Sequence, residues 1–139
     1  MLNYRNLLLL GLLYCIPADP TNTRIDIHCD DPSITDWCAT MVLYEEDNPR
    51  HHDIIKTESF CSYKPLKTFE YPNLFLNGDG SRHYEIGYQL SHTCTKDGQH
   101  KCMKSPVKRV RVYSTNNVRF FDPIQDVGTY GPCANINSK

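Results

Sequence analysis

Between Arg82 and Ser91 the chain alternates. Tyr84, Ile86, Tyr88 and Leu90 fall on even positions, His83, Glu85, Gln89 and Ser91 on odd ones. Successive side chains leave opposite faces of a pleated strand, so this pattern predicts a half-buried β-strand. The strand runs into Cys94, a polar loop from Thr95 to His100, and Cys102. Asp97-Gly98 inside that loop is a turn signal, because glycine accepts the positive φ that other residues resist. The centre of the chain therefore reads as a long strand, a tight loop and a return strand.

The rest of the chain follows the same grammar. Thr23 to Cys29 alternates as a first strand, and Asp30-Asp31-Pro32-Ser33 ends it. Trp37 to Glu45 is apolar, β-branched and aromatic, a second strand; Glu46 to Asp53 is a polar turn, and Ile54 to Cys61 returns from it. Lys67 to Tyr71, Val118 to Phe121 and Val127 to Tyr130 are short strands, with a turn at Asn77-Gly78-Asp79-Gly80. The return strand changes phase: Met103 and Val107 are odd, Val110 and Val112 even, which places a bulge near Pro106 to Lys108. Seven or eight short strands with almost no helical periodicity predict an all-β sandwich.

The N-terminus alters the picture. Leu7 to Tyr14 is apolar apart from Gly11, behind one positive charge and ahead of the small residue Ala18. Residues 1–18 are expected to be a secretory signal peptide and residues 19–139 the folded domain, since the apolar run is too short to span a bilayer. No later stretch is apolar enough for a transmembrane segment. Removing the signal takes Cys15 with it and leaves Cys29, Cys38, Cys61, Cys94, Cys102 and Cys133. An even count in an exported chain predicts disulfides. The 139-residue chain has a net charge of −1, and loss of Arg5 brings it near −2, which argues against a nucleic-acid binder.

Six cysteines allow 15 pairings. If Tyr44 opposes Ile55 in an antiparallel pair, Cys38 lies opposite Cys61, close enough for a bridge. If Ile86 opposes Val110 and Tyr84 opposes Val112, Cys94 lies opposite Cys102. Cys29 and Cys133 would then join the first strand to the C-terminus.

The ordered set of motifs resembles the nematode transthyretin-like family of secreted proteins. The residues that carry the likeness are Cys29 before its turn, Leu43-Tyr44-Glu45-Glu46-Asp47, Ile54-Ile55, Phe69-Glu70, Ser91-His92-Thr93-Cys94-Thr95-Lys96-Asp97-Gly98 with Cys102, and Val127-Gly128-Thr129. The resemblance covers about residues 23–133. It implies a transthyretin-like (prealbumin-like) sandwich of two four-stranded sheets, secretion, and no established catalysis. The chain departs from the family at Glu58 to Pro65, where an added cysteine, Cys61, replaces the usual Asp-x-x-Gly turn. The joint presence of Cys38 and Cys61 fits a matched extra bridge.

Chemistry is sparse. His92-x-Cys94 and His100-x-Cys102 have the ligand types of a zinc site. In an exported chain those thiols oxidise, so a disulfide-clipped hairpin is the better reading, and no metal or cofactor is expected. His51, His52 and Asp53 read as a solvated turn. Lys101, Lys104, Lys108, Arg109 and Arg111 form a basic run that could attract anionic lipid or sulfated glycan. No nucleophile stands beside a base and an orienting group, and the Tyr-Arg-Gly-Ser tail of the hydroxyisourate hydrolases built on the transthyretin fold is replaced by Tyr130-Gly131-Pro132-Cys133. The expectation is a secreted binding protein, free or associated with the cell surface and not an enzyme, whose partner is an extracellular protein or a lipid or glycan surface. The alternative is a carrier of a small hydrophobic ligand.

Overall fold

A computed structural model describes residues 20–48, 51–76 and 81–136. The expected signal peptide and the Asn77-Gly78-Asp79-Gly80 turn lie outside these residues. Among the described residues nine strands follow in order: β1 (Thr21–His28), β2 (Trp37–Asn48), β3 (His51–Ser62), β4 (Leu66–Leu74), β5 (His83–His92), β6 (Lys101–Lys104), β7 (Lys108–Arg111), β8 (Asn116–Pro123) and β9 (Thr129–Tyr130). They form two sheets. The smaller has the order β4-β1-β8, and the larger β3-β2-β5-β6-β9, with β7 also on β5.

The alternation of β5 turns Tyr84, Ile86, Tyr88 and Leu90 inward, where all four are buried. Ile25 and Ile27 of β1, Met41 and Leu43 of β2, and Val118 and Phe120 of β8 complete the layer between the sheets. The Tyr88 ring meets Phe120 edge-on, 5.2 Å between centroids. Aromatic pairs favour this geometry, which sets the positive ring edge against the negative face. Three large aromatic side chains carried inward have their polar atoms matched: Trp37 Nε1–H donates to Lys64 O at 3.0 Å, Tyr84 O–H to Leu76 O at 2.9 Å, and Tyr88 O–H to the Asp122 carboxylate.

Sheets of three and six strands replace the two four-stranded sheets implied by the resemblance. The return strand is broken into β6 and β7, both paired with β5. At the break Ser105 bonds Tyr88 twice, its N–H donating to Tyr88 O and its Oγ accepting from Tyr88 N–H, each at 2.9 Å. Pro106 follows, and without an N–H it cannot continue the ladder.

The register of this hairpin corrects the cysteine pairing. Cys102 opposes Ser91, and Tyr84 opposes Val110 rather than Val112. Ser91 belongs to the outward set, so Cys102 points outward, while Cys94 is turned inward and fully buried. A one-residue slip exchanges the faces of a strand. The expected Cys94–Cys102 bridge is therefore not formed, nor is Cys29–Cys133. Cys94 bonds Cys29 inside the sandwich, and Cys102 bonds Cys133 on its outside. Cys38 opposes Cys61 and is bonded to it. The ladder through that pair shifts between Leu43 and Tyr44, so Tyr44 meets Ile54, not Ile55.

Candidate recognition surface

In β1 the buried residues Ile25 and Ile27 fix the outward set as Asn22, Arg24, Asp26 and His28. β8 runs parallel beside β1 and sets Asn117, Arg119, Phe121 and Pro123 next to them. On the other side, β4 opposes Asp26 with Thr68, Arg24 with Glu70 and His28 with Leu66. Three short strands thus assemble one polar face with an apolar end.

Asp26 is its centre. Its side chain is only 4% exposed although it lies on the outer face, because two arginines lie over it. Arg24 Nε donates to both carboxylate oxygens at 3.1 and 3.0 Å, Thr68 Oγ1 donates at 2.8 Å, and Arg119 donates from Nη2 at 3.0 Å. Arg24 Nη1 also reaches Glu70 at 2.6 Å. These donors, Arg24 first, hold the Asp26 carboxyl far below the usual carboxylate range against the opposing effect of burial. The carboxylate in turn fixes two guanidinium planes on a rigid sheet. Beside them Phe121 is 62% exposed, its ring 4.3 Å from His28, and Leu66 is 43% exposed. A surface cleft of about 360 Å³ opens at the other end, between Asn22, Arg24, Tyr71, Asn117 and Arg119.

The sign of the pH dependence follows. A carboxyl with a lowered folded-state pKa contributes stability that is present above its unfolded value, near 3.9, and is lost as pH falls through the folded value. Asp26→Asn is expected to lower stability at neutral pH by about 2 kcal/mol, the scale of charge-assisted hydrogen bonds to groups still reached by water. It should also flatten the acid limb of the stability profile. Urea unfolding across pH 2 to 7 checks both; an unchanged acid limb would remove Asp26 as its source.

The basic run is divided by the fold. Lys101 is buried: Nζ donates to Asp126 O at 2.7 Å and lies 4.7 Å from the Tyr130 ring centre. Lys108 Nζ donates to Arg119 O and lies over Phe120. Lys104, Arg109 and Arg111 remain exposed, and Arg109 pairs with Glu85 at 3.5 Å. Of the five cations only Lys101 is buried; Lys108 is exposed but tethered to β8.

The zinc-like quartet is likewise taken apart. Cys94 and Cys102 lie in different disulfides. His92 is fully buried, and its Nε2–H donates to Val127 O at 2.9 Å. Burial pushes this imidazole toward the neutral form. His100 lies near Ser91 instead. The His52 ring packs on Tyr44 at 4.9 Å, while Asp53 shares a cluster with the carboxylates of Glu45 and Asp47, ligand atoms within 4.8 Å. Hard cations take six or more oxygens, so three carboxylates alone do not make such a site.

Sequence reasoning missed Arg24, Asp26, Arg119 and Phe121. The alternation of β1 placed Arg24 and Asp26 outward, but nothing local brings Arg119 to them from 93 residues away.

Fold and surface together define a small two-sheet β domain clamped by three disulfides. Residues 24–136 match the family described as "Caenorhabditis elegans protein of unknown function (DUF870)", and the chain belongs to that family. No curated protein and no solved structure matches the chain. Among the described residues no helix is long and apolar enough to cross a membrane.

Proposed function

We propose that this protein is a secreted, non-enzymatic recognition module with transthyretin-like layering, and that it meets an extracellular protein through the outer face of β4-β1-β8. The observation that carries the reading is the exposed Phe121 beside Arg24 and Arg119, whose guanidiniums Asp26 holds in place. Aromatic and arginine side chains dominate binding energy at interfaces, above all when fixed before the partner arrives. Three disulfides support an oxidising, extracellular setting. The two-sheet arrangement supports the transthyretin-like reading, though with three and six strands. The small-ligand alternative has less behind it, because the cleft beside Arg24 and Arg119 is open and bordered by charge.

The test is capture from extracellular fluid on the purified, oxidised protein, followed by mass spectrometry. Phe121→Ala/Arg119→Ala should lower recovery of specific partners at least about tenfold. Arg24 and Thr68 still bond Asp26 in that variant, so the fold persists. Equal recovery by the variant rejects the surface. Capture of anionic vesicles instead, lost in Arg109→Glu/Arg111→Glu, would move the site to β7.

A further inference from the structure

The larger sheet ends in β3, a twelve-residue strand that pairs only with β2 among the described residues. Which of its backbone groups remain free can be read from the β2–β3 ladder. Cys38 and Cys61 oppose each other with Cα atoms 3.9 Å apart, and Thr40 and Ser59 hydroxyls bond at 3.0 Å. Such close oppositions are the non-hydrogen-bonded pairs of an antiparallel ladder. In those pairs the backbone N–H and C=O point away from the partner. Thr57, Ser59 and Cys61 therefore direct these groups to the open edge, and all three are exposed.

An open edge of this length is a template for another strand unless its side chains repel one. Here the side chains flanking Thr57 are Lys56 and Glu58. Lys56 is exposed and makes no ion pair among the described residues; Glu58 is half-buried and accepts from Tyr71 O–H at 3.1 Å. We propose that β3 is a homodimerisation edge, pairing antiparallel with β3 of a second copy about a two-fold axis at Thr57. In that register the two Thr57 residues exchange their free N–H and C=O groups. Lys56 of each copy then faces Glu58 of the other, twice by symmetry. The neighbouring registers allowed by the same hydrogen-bond parity set Lys56 against Lys56 or Glu58 against Glu58, and like charges directly opposed repel. Charge therefore favours this register over both of its neighbours. The dimer joins the two larger sheets and leaves the β4-β1-β8 face free, so it stands independently of the recognition reading.

Sedimentation of the purified, oxidised protein over a concentration series tests the proposal. The wild type is expected to dimerise reversibly. Lys56→Glu and Glu58→Lys should each weaken the dimer at least about tenfold, because both place two like-charged pairs across the axis. Mixing these two variants restores opposite charges at both positions, so a 1:1 heterodimer should form. The double variant K56E/E58K should regain the homodimer. Lys56→Ala, with no charge to repel, should give an intermediate shift and covers any disturbance of β3 by reversal. A wild type monomeric at several hundred micromolar, a dimer unmoved by the single variants, or no heterodimer on mixing would each overturn the proposal.

Discussion

Cys29→Ala/Cys94→Ala should lose about 4 kcal/mol of stability, the scale expected when a crosslink of this span no longer restricts the unfolded chain. The two residues are 65 apart in sequence. Both are buried, Cys29 2% and Cys94 0% exposed, so the substitution also removes two sulfur atoms from the core. The bridge ties the end of β1 in the smaller sheet to the loop after β5 in the larger one. Against a typical total of 5–15 kcal/mol, this is a large part of what keeps the domain folded. Cys38→Ala/Cys61→Ala is the comparison. That bridge spans 23 residues between strands already joined by a continuous ladder, and should cost about 3 kcal/mol or less. Non-reducing urea unfolding of the two variants gives the order. Equal losses would mean that the buried bridge has no special role in holding the layers together.

Gly128→Ala is expected to cost about 3 kcal/mol, combining strain at positive φ with overpacking. Gly128 has φ +105°, and a Cβ there would lie 2.2 Å from the backbone carbonyl oxygen of Cys102. Backbone cannot rotate away as a side chain can. The loop around Gly128 is fixed from several directions: His92 bonds Val127 O, Lys101 bonds Asp126 O, and Asp126 N–H donates to Cys94 O at 3.0 Å. Moving the loop therefore disturbs the buried His92 and both disulfides nearby. Gly98→Ala separates strain from clash. Gly98 also has positive φ, +69°, but a Cβ would meet nothing within 4 Å. Its expected cost is about 1 kcal/mol. Thermal or urea unfolding of both variants checks the difference; matching losses would show that the Cys102 contact carries no weight.

Much of the local structure is legible in the sequence. The β5 alternation named Tyr84, Ile86, Tyr88 and Leu90, and all four are core. The change of phase after Met103 named the break that Ser105 and Pro106 make between β6 and β7. The hairpin register was misread because the order of residues from Thr93 to His100 does not by itself mark where the ladder stops. Thr95 Oγ1 bonding Gln99 O and the turn at Gly98 end it at His92, and that placement sends Cys94 and Cys102 to opposite faces. The basic run is spread over two short strands, β6 and β7, that pair with successive parts of β5, so the partners of its five cations depend on contacts outside the run.

What the order of residues determined by itself was local: strand periods, turn positions, and the inward and outward sets of each strand, all consequences of the pleat. What only the tertiary structure decided was which strands became neighbours. The parallel pairing of β1 with β8, two cystine partnerships, and the meeting of Arg24, Asp26 and Arg119 all depend on contacts far apart in sequence. Periodicity reports the environment of a side chain over a few residues. Long-range pairing is chosen by the competition among whole sheets to bury their apolar faces, and no short stretch contains that information.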